Sequence, residues 1–195
     1  MGQTIIKNDN GAVNSLQVSC LENVPQGNSN FGRGVLLKNI TDNSSTNYTS
    51  TGMGALYGGN TTFEDNACFD NATNRSSGVA VPLVLLYAAN ESSTTDLVKN
   101  SYAVKTGGNL GIASHNWIIR KGSCNPQIQN CYYDSQKAAF TTESDEGAIG
   151  KTTAQLKSGN IFTNDNNNWI QVQGYYPILN NQYAVDSITL SSAMY

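Results

Sequence analysis

The residue types that most often carry out chemistry in proteins are sparse in this chain. It contains one histidine, His115, inside the polar segment 114–117. A serine or cysteine nucleophile needs a neighbouring base, and a histidine usually supplies it. No Gly-x-Ser-x-Gly nucleophile elbow is present either. The sequence therefore predicts no catalytic centre, and we expect the protein not to be an enzyme.

Carboxylates are the second candidate, because enzymes that cleave polysaccharides place two of them across the scissile bond. The adjacent pairs Glu64-Asp65 and Asp145-Glu146 would point to opposite faces of a strand. Asp65 and Asp70, in contrast, are expected to approach each other across a turn. The same two side chains offer oxygen ligands in one predicted loop, so calcium is the ion that we expect if any binds. No other cofactor is indicated.

Aromatic rings that stack on sugar faces, with amides beside them, are a third kind of site. Trp117 lies beside a polar turn and is the first candidate, followed by Tyr132 and Tyr133. The competing interpretation is that such rings fill a core. This pattern keeps a carbohydrate-binding module as an alternative function.

Four cysteines suit a disulfide framework. Cys124 and Cys131 bracket a span short enough to be closed as a loop, and Cys20 with Cys68 would then form the second bridge. The alternative is four small buried thiols. Zinc is not indicated, because no Cys-x-x-Cys pair is present.

N-glycosylation sequons are abundant, and they favour a surface-exposed extracellular chain. They begin at Asn39, Asn43, Asn47, Asn60, Asn71, Asn74 and Asn90. Together with the even number of cysteines, they lead us to expect an extracellular or cell-surface location.

Composition excludes several partners. Charged residues make up only 13% of the chain, the net charge is −3, and no basic tract is present. Nucleic acids and anionic membrane surfaces attract clustered lysine and arginine, so we expect neither as a partner. The longest apolar run, 79–89, is about half a membrane span and contains Pro82, so we expect no membrane insertion.

A short unit recurs along the chain and predicts the elements that must position these residues. It consists of a small or apolar residue, Asn, a polar residue, an apolar strand and a glycine-rich turn. The clearest copies span 98–104 and 128–134, and looser ones span 13–18 and 65–70. One such strand cannot bury its apolar face alone, whereas stacked copies share a core, and their Asn residues can form a ladder. We expect an all-β fold, a right-handed parallel β-helix over residues 1–140, with a β-sandwich as the alternative.

Residues 141–195 are expected to form a capping segment with a short helix and strands. Thr152 and Gln155 have the spacing of a capping box, Lys157 suits the last turn, and Gly159 suits the position after the helix. The segment is expected to cover the open end of the β-helix, which would otherwise expose unpaired strand edges.

Two stretches resemble bacterial and protist surface proteins with GLUG-type repeats, over about residues 97–180. The stretch 99–104, continued by 111–112, is similar to the N-S-Y-A strand and glycine-rich turn of that family. The second stretch is similar to the segment that closes such repeat arrays in large adhesin-like proteins. It runs from Asn130-Cys131-Tyr132-Tyr133-Asp134 through 150–156 to Trp169-Ile170 and Tyr176-Pro177-Ile178-Leu179.

The resemblance implies a surface-displayed, β-helical stalk or adhesive module and supplies no catalytic residues. We therefore expect a non-enzymatic extracellular structural or adhesive module, such as a subunit of a surface filament or an adhesin stalk. Its expected partners are further copies of itself, or a host or matrix glycan or protein. The alternatives are a carbohydrate-binding module and a polysaccharide-degrading β-helix enzyme.

Overall fold

A computed structural model describes most of the strands and the C-terminal part of the chain. The described residues are 2–8, 15–23, 29–42, 48–57, 61–70, 73–74, 79–80, 84–87, 97–107, 115–116, 119–120, 126–137, 147–163 and 168–180. Side chains are described for 62–69, 97–107, 119, 126–137, 147–163 and 168–180, and the backbone alone for the rest.

Strands dominate these residues, so the expectation of an all-β fold is confirmed over the described part of the chain. The strands are β1 (Gly2–Asn8), β2 (Ser15–Asn23), β3 (Ser29–Asp42), β4 (Tyr48–Tyr57), β5 (Thr61–Asp70), β6 (Thr73–Asn74), β7 (Val79–Ala80), β8 (Val84–Tyr87), β9 (Leu97–Lys105), β10 (His115–Asn116), β11 (Ile119–Arg120), β12 (Gln127–Asp134), β13 (Ile149–Lys151), β14 (Trp169–Ile170) and β15 (Ile178–Leu179). A short helix, α1 (Thr153–Leu156), follows β13. No helix in the described ranges is long and apolar enough to cross a membrane.

The strands form two parallel sheets and one small antiparallel pair. The first sheet has the order β1-β3-β5-β9-β12-β13, with β6 beside β3, and the second has the order β10-β7-β4-β8-β11, with β2 beside β4. Strands β14 and β15 are the antiparallel pair. From β1 to β5 the chain alternates between the two large sheets. Immunoglobulin-type sandwiches are antiparallel, so this pairing argues against the sandwich alternative.

Three neighbouring strands of the first sheet bend at the same register position. Val98 of β9 pairs with Phe63 of β5 on one side and with Ile128 of β12 on the other. In each strand, the residue two positions after this partner has the left-handed backbone conformation. The residues concerned are Asp65, Asn100 and Asn130, with φ of 55°, 49° and 50°. Asn and Asp tolerate this conformation better than other non-glycine residues, which explains their presence at the bend.

The bends are joined by the asparagine ladder that the repeats predict. Asn130 Nδ2 donates a hydrogen bond to Asn100 Oδ1 at 3.1 Å, across 30 residues of sequence. The looser copy at 65–70 differs from its expected alignment, because Asp65 rather than Asn66 takes the place of Asn100. The ladder is therefore amide to amide between β9 and β12, and a carboxylate takes the corresponding place on β5.

The residue that follows each bend returns a hydrogen bond to the carbonyl oxygen two positions earlier. Asn66 donates to the Glu64 carbonyl at 2.7 Å and Ser101 to the Lys99 carbonyl at 2.8 Å. Cys131 Sγ lies 3.5 Å from the Gln129 carbonyl in the same arrangement. In β5, β9 and β12, the carbonyl groups at equivalent positions thus contact an amide, a hydroxyl and a thiol, respectively.

Substitutions at Asn100 test the bend. We expect Asn100→Ala to lower the free energy of unfolding by about 1–3 kcal/mol, because alanine is strained at positive φ and cannot accept the Asn130 amide. Asn100→Gly loses the same hydrogen bond without the strain, so its cost is expected to be smaller. Urea denaturation measures both, with Gln129→Ala, on an exposed side chain of the same bend, as the matched control. Equal costs for alanine and glycine would show that the backbone conformation contributes nothing.

Helix α1 begins at the capping box that the sequence predicts. Gln155 N–H donates to Thr152 Oγ1 at 3.1 Å, and Thr152 N–H donates to Gln155 Oε1 at 2.9 Å. The end of the helix differs from expectation. Lys157 is already the C-cap, and Gly159, with φ of 85°, lies in the turn that follows.

The described residues after β13, 152–163 and 168–180, are called the C-terminal residues here. They contact side chains of the first sheet, whereas the sequence predicted a cover over the open end of the β-helix. Strand β13 does pair with the last long strand, β12. After β13, however, the C-terminal residues form hydrogen bonds with three strands of this sheet. Asn168 bonds Asp65 of β5, Pro177 bonds Tyr102 of β9, and Tyr176 bonds Asp134 of β12.

Buried, mostly aromatic side chains form a core between the C-terminal residues and the sheet. Its members are buried and come from both sides: Ala67, Phe69, Tyr102, Val104 and Tyr132 from the strands, and Leu156, Phe162, Trp169, Tyr176 and Leu179 from the C-terminal residues. The rings meet mostly edge-on or tilted, as in the Phe69–Tyr102 pair at 5.9 Å. These contacts are favourable beyond the burial of their area.

Candidate functional site

A cleft lies between strand β12 and the residues around helix α1. Its volume is about 340 Å³, and it is lined by Tyr132, Lys151, Gln155, Ser158, Asn160 and Ile161. Lys151 ends strand β13, Gln155 lies in α1, and the other three C-terminal residues lie just after the helix. The β12–β13 pairing therefore positions Lys151, and the capping box positions Gln155.

The two amide side chains of the cleft use their oxygen atoms for internal hydrogen bonds. Gln155 Oε1 accepts the Thr152 N–H at 2.9 Å. Asn160 Oδ1 accepts the Ser158 hydroxyl at 2.7 Å. Since a primary amide has an acceptor oxygen and a donor NH₂ group, both residues are left with their donors for other partners.

Lys151 is the one charged residue in the described lining of the cleft. Its Nζ lies 5.5 Å from the centre of the Tyr132 ring, which is a cation–π distance. Lys99 of β9 differs, because its Nζ is paired with Glu64 Oε2 at 2.7 Å. The cleft therefore combines a cation held over a ring with two amide donors.

Tyr132, which the sequence predicted to be an exposed ring that stacks on sugars, is largely buried. The side chain is only 9% exposed, and its ring packs against Phe162 with centroids 5.6 Å apart. Burial raises the pKa of its hydroxyl. Tyr133 is half-buried over Gly150, its register partner, and Trp117 lies outside the described residues. The rings of β12 thus serve as core and cleft floor.

Asp65 and Asp70, which the sequence placed together in one loop as candidate calcium ligands, both belong to strand β5. Asp65 occupies the left-handed bend and is buried, and its Oδ2 accepts the Asn168 amide at 3.0 Å. Asp70 is the last residue of the strand, and its backbone lies opposite that of Lys105 in the register with β9. Within the described ranges, no group of three or more His, Cys, Asp or Glu residues is placed to hold a metal ion.

A buried carboxylate on β12 organises the contact with the C-terminal residues. Asp134, 1% exposed, accepts the backbone N–H groups of Gln136 and Lys137 at 3.0 and 3.2 Å. Its other oxygen accepts the Thr153 and Tyr176 hydroxyls at 2.7 and 2.6 Å. Sequence reasoning assigned no role to Asp134. Its place before a Ser-Gln-Lys turn was the available signal, since aspartate commonly bonds the backbone two residues on.

The pKa of the Tyr176 hydroxyl is set by burial and by the Asp134 carboxylate. Burial, followed by the hydrogen bond and the charge of Asp134, raises the pKa of Tyr176 above its usual value of 10.0. The lysines at 137 and 157 hold their Nζ atoms 5.6 and 4.6 Å from the ring centre. The ring therefore contacts two cations, and its hydroxyl donates to a carboxylate.

The raised pKa of Tyr176 predicts a loss of stability in alkali. The unfolded chain releases the phenol proton near pH 10, before the folded chain does, so the contribution of Tyr176 is complete below that pH. It falls as the pH rises from there through the higher folded pKa. We expect urea midpoints to decrease above about pH 10. Tyr176→Phe should flatten this decrease, and an unchanged slope in that variant would contradict the assignment.

Cys68 and Cys131 are both buried, and Cys131 is a thiol in the structure, whereas the sequence predicted the bridges Cys20–Cys68 and Cys124–Cys131. Cys131 Sγ lies 3.5 Å from the Val98 and Gln129 carbonyls, so the thiol serves the bend within its own sheet. Burial raises the pKa of this thiol to about 12. Cys20 lies in β2, where the backbone alone is described, and Cys124 lies outside the described residues.

The remaining predicted sites fall mostly on chain that the structure does not describe. Asn39 lies within β3, opposite Ile5 of β1, and Asn74 lies in β6. The other sequon residues, Asn43, Asn47, Asn60, Asn71 and Asn90, are outside the described ranges. His115 lies in β10, whose backbone pairs with β7.

No family model, no curated protein and no solved structure matches this chain.

Proposed function

We propose that this chain is a β-solenoid segment that works as a non-enzymatic structural or adhesive module outside the cell. The bend that recurs in register on β5, β9 and β12 supports this proposal most strongly. Hydrogen bonds across it join residues 35 and 30 positions apart, from Asn66 to Ser101 and from Asn130 to Asn100. Such spacing is typical of coils that each return to the same place.

The use of polar groups also supports a structural role. The described buried acids, Asp65 and Asp134, accept hydrogen bonds from the chain's own amides and hydroxyls. The bends use Asn, Ser and Cys side chains to satisfy backbone carbonyls. Chemistry of this kind holds a repeating backbone together and needs no substrate.

The resemblance to GLUG-repeat surface proteins supplies the biological context of the proposal. In that context, residues 1–140 form right-handed coils and 141–195 form the closing segment, and the sequons become glycosylation sites of an extracellular chain. The last strand of the first sheet, β13, carries Ile149 with 53% of its surface exposed. An exposed strand edge can pair with a further strand, so self-association into a filament is part of the proposal.

Surface labelling of intact source cells tests the location. We expect a membrane-impermeant biotin reagent to label the chain without lysis, and mild protease to remove it. Labelling only after lysis would overturn the extracellular assignment.

Electron microscopy and a sugar-release assay test the remaining parts. The purified chain is expected to form fibres, and Ile149→Glu is expected to shorten them, with Val172→Glu, on another exposed apolar side chain, as the control. If the micrographs showed only monomeric particles, the proposed self-association into a filament would be overturned. Reducing-sugar release above background that falls on Asp65→Asn would instead favour the polysaccharide-degrading alternative.

The second candidate function is a carbohydrate-binding module, favoured by the cleft between β12 and α1. It is compatible with an adhesive module, because adhesion requires a ligand site.

A further inference from the structure

We propose that the cleft binds a sugar that carries a carboxylate, that is, a uronic acid unit of an acidic glycan. The proposal gives the adhesive part of the proposed function a ligand class and rests on that function. It depends on three properties of the cleft: its donors, its charge and its apolar floor.

The first property is an excess of hydrogen-bond donors. The oxygen atoms of Gln155 and Asn160 accept from Thr152 and Ser158, so their NH₂ groups remain as donors. Lys151 adds an ammonium group, which has donors and no acceptor. A ligand that fits such a lining must be rich in acceptors, and a carboxylate beside ring hydroxyls has that character.

The second property is local positive charge on an acidic protein. The chain has a net charge of −3. The described lining of the cleft contains Lys151 and no carboxylate. Lys151 lies over a ring, whereas Lys99 is neutralised by Glu64. A ring leaves the positive charge in place, so an anion placed here gains a charge-assisted hydrogen bond.

The third property is an apolar surface of suitable size. Tyr132 and Ile161 provide carbon atoms beside the donors. The cleft volume of about 340 Å³ is at the small end of ligand sites, which suits one or two sugar rings. A uronic acid presents C–H groups on a ring face and a carboxylate at its edge, so it can satisfy the floor and the donors together.

Gln155→Glu is the most informative variant, because glutamate at this position retains the capping box. Its oxygen can still accept the Thr152 N–H, so α1 is preserved, while the donor is replaced by a negative charge. Lys151→Gln removes the cation of the cleft. Lys137→Gln is the matched control, since it removes an equal charge from a lysine of the same region outside the cleft lining.

Binding is measured by calorimetry with digalacturonic acid, its neutral counterpart galactobiose, and inorganic phosphate. We expect digalacturonic acid to bind at least about tenfold more tightly than either comparison ligand, with affinity that falls as salt is added. Gln155→Glu and Lys151→Gln are each expected to weaken it by about tenfold or more, and Lys137→Gln by less than about twofold. In amide NMR spectra, the side-chain NH₂ signals of Gln155 and Asn160 should shift on binding.

Several results would overturn the proposal: no binding of digalacturonic acid, equal affinity for galactobiose, or unchanged affinity in Gln155→Glu. Phosphate binding as tight as that of the sugar would reduce the cleft to a general anion site and would overturn it as well. These failures are distinguishable from failure of the proposed function. A surface-exposed, fibre-forming chain without uronate binding would retain the structural role, whereas an intracellular chain that binds uronate would lose the extracellular one.

Discussion

Replacing Tyr102 with alanine is expected to lower the free energy of unfolding by about 3–5 kcal/mol, the range for large buried aromatic side chains. The side chain is 0% exposed. Its ring lies 5.6 Å from that of Trp169 and 6.3 Å from that of Tyr176, while its hydroxyl donates to the Pro177 carbonyl at 2.6 Å. The variant would therefore leave a cavity at the centre of the aromatic core and a carbonyl oxygen without its donor.

Two further substitutions separate packing from the hydrogen bond. Tyr102→Phe keeps the ring and removes the hydroxyl, so we expect it to cost about 1–3 kcal/mol. Val172→Ala, on a side chain that is 51% exposed, is the control and should change stability by less than about 0.5 kcal/mol. Chemical denaturation followed by tryptophan fluorescence measures all three. If Tyr102→Ala cost no more than the control, the C-terminal residues would not be packed on the sheet.

The features that could be predicted from the sequence are those determined by neighbouring residues. The capping box requires Thr152 and Gln155 at a fixed spacing, and both hydrogen bonds are present. The asparagine ladder requires Asn100 and Asn130 at equivalent places in two copies of one unit, and the bond between them follows. In each case a local pattern contains the whole geometric requirement.

The features that could not be predicted depend on where the described residues 149–163 and 168–180 lie. Tyr132 would be an exposed ring on an uncovered sheet, as the sugar-stacking prediction assumed. It is buried because Phe162, about 30 residues further along, packs against it. No local pattern in β12 specifies which of its faces is covered by a later part of the chain.

The bend accounts for the positions of two residues to which the sequence assigned other roles. Asp65 and Cys131 have the residue types of a metal ligand and a disulfide partner. Their register positions instead make them parts of one repeated bend, Asp65 as its left-handed residue and Cys131 as the residue after it. The residue types at the bend differ between copies, with Asp in place of Asn and Cys in place of Ser. The repeat is therefore hard to recognise in the sequence and becomes clear from the strand register.

Asp134→Ala is expected to lower the free energy of unfolding by about 2–4 kcal/mol, because it breaks a buried hydrogen-bond network. The carboxylate joins the turn after β12 to the Thr153 and Tyr176 hydroxyls, so its removal leaves donors on both sides without their acceptor. Thermal unfolding by circular dichroism measures the cost. Gln127→Ala, on an exposed side chain at the other end of the same strand, is the control.

Asp134→Asn tests the charge separately from the shape. The amide oxygen can still accept the backbone N–H groups of the turn, and hydroxyl groups can rotate to accept from the new NH₂ group, so the loss of stability should be smaller than for alanine. The charge and the acceptor that raise the pKa of Tyr176 are nevertheless removed. We therefore expect the tyrosinate absorbance of the folded variant to develop at lower pH than in the parent chain. An unchanged titration would mean that burial alone sets the pKa of Tyr176, and that Asp134 holds the C-terminal residues in place without tuning the tyrosine.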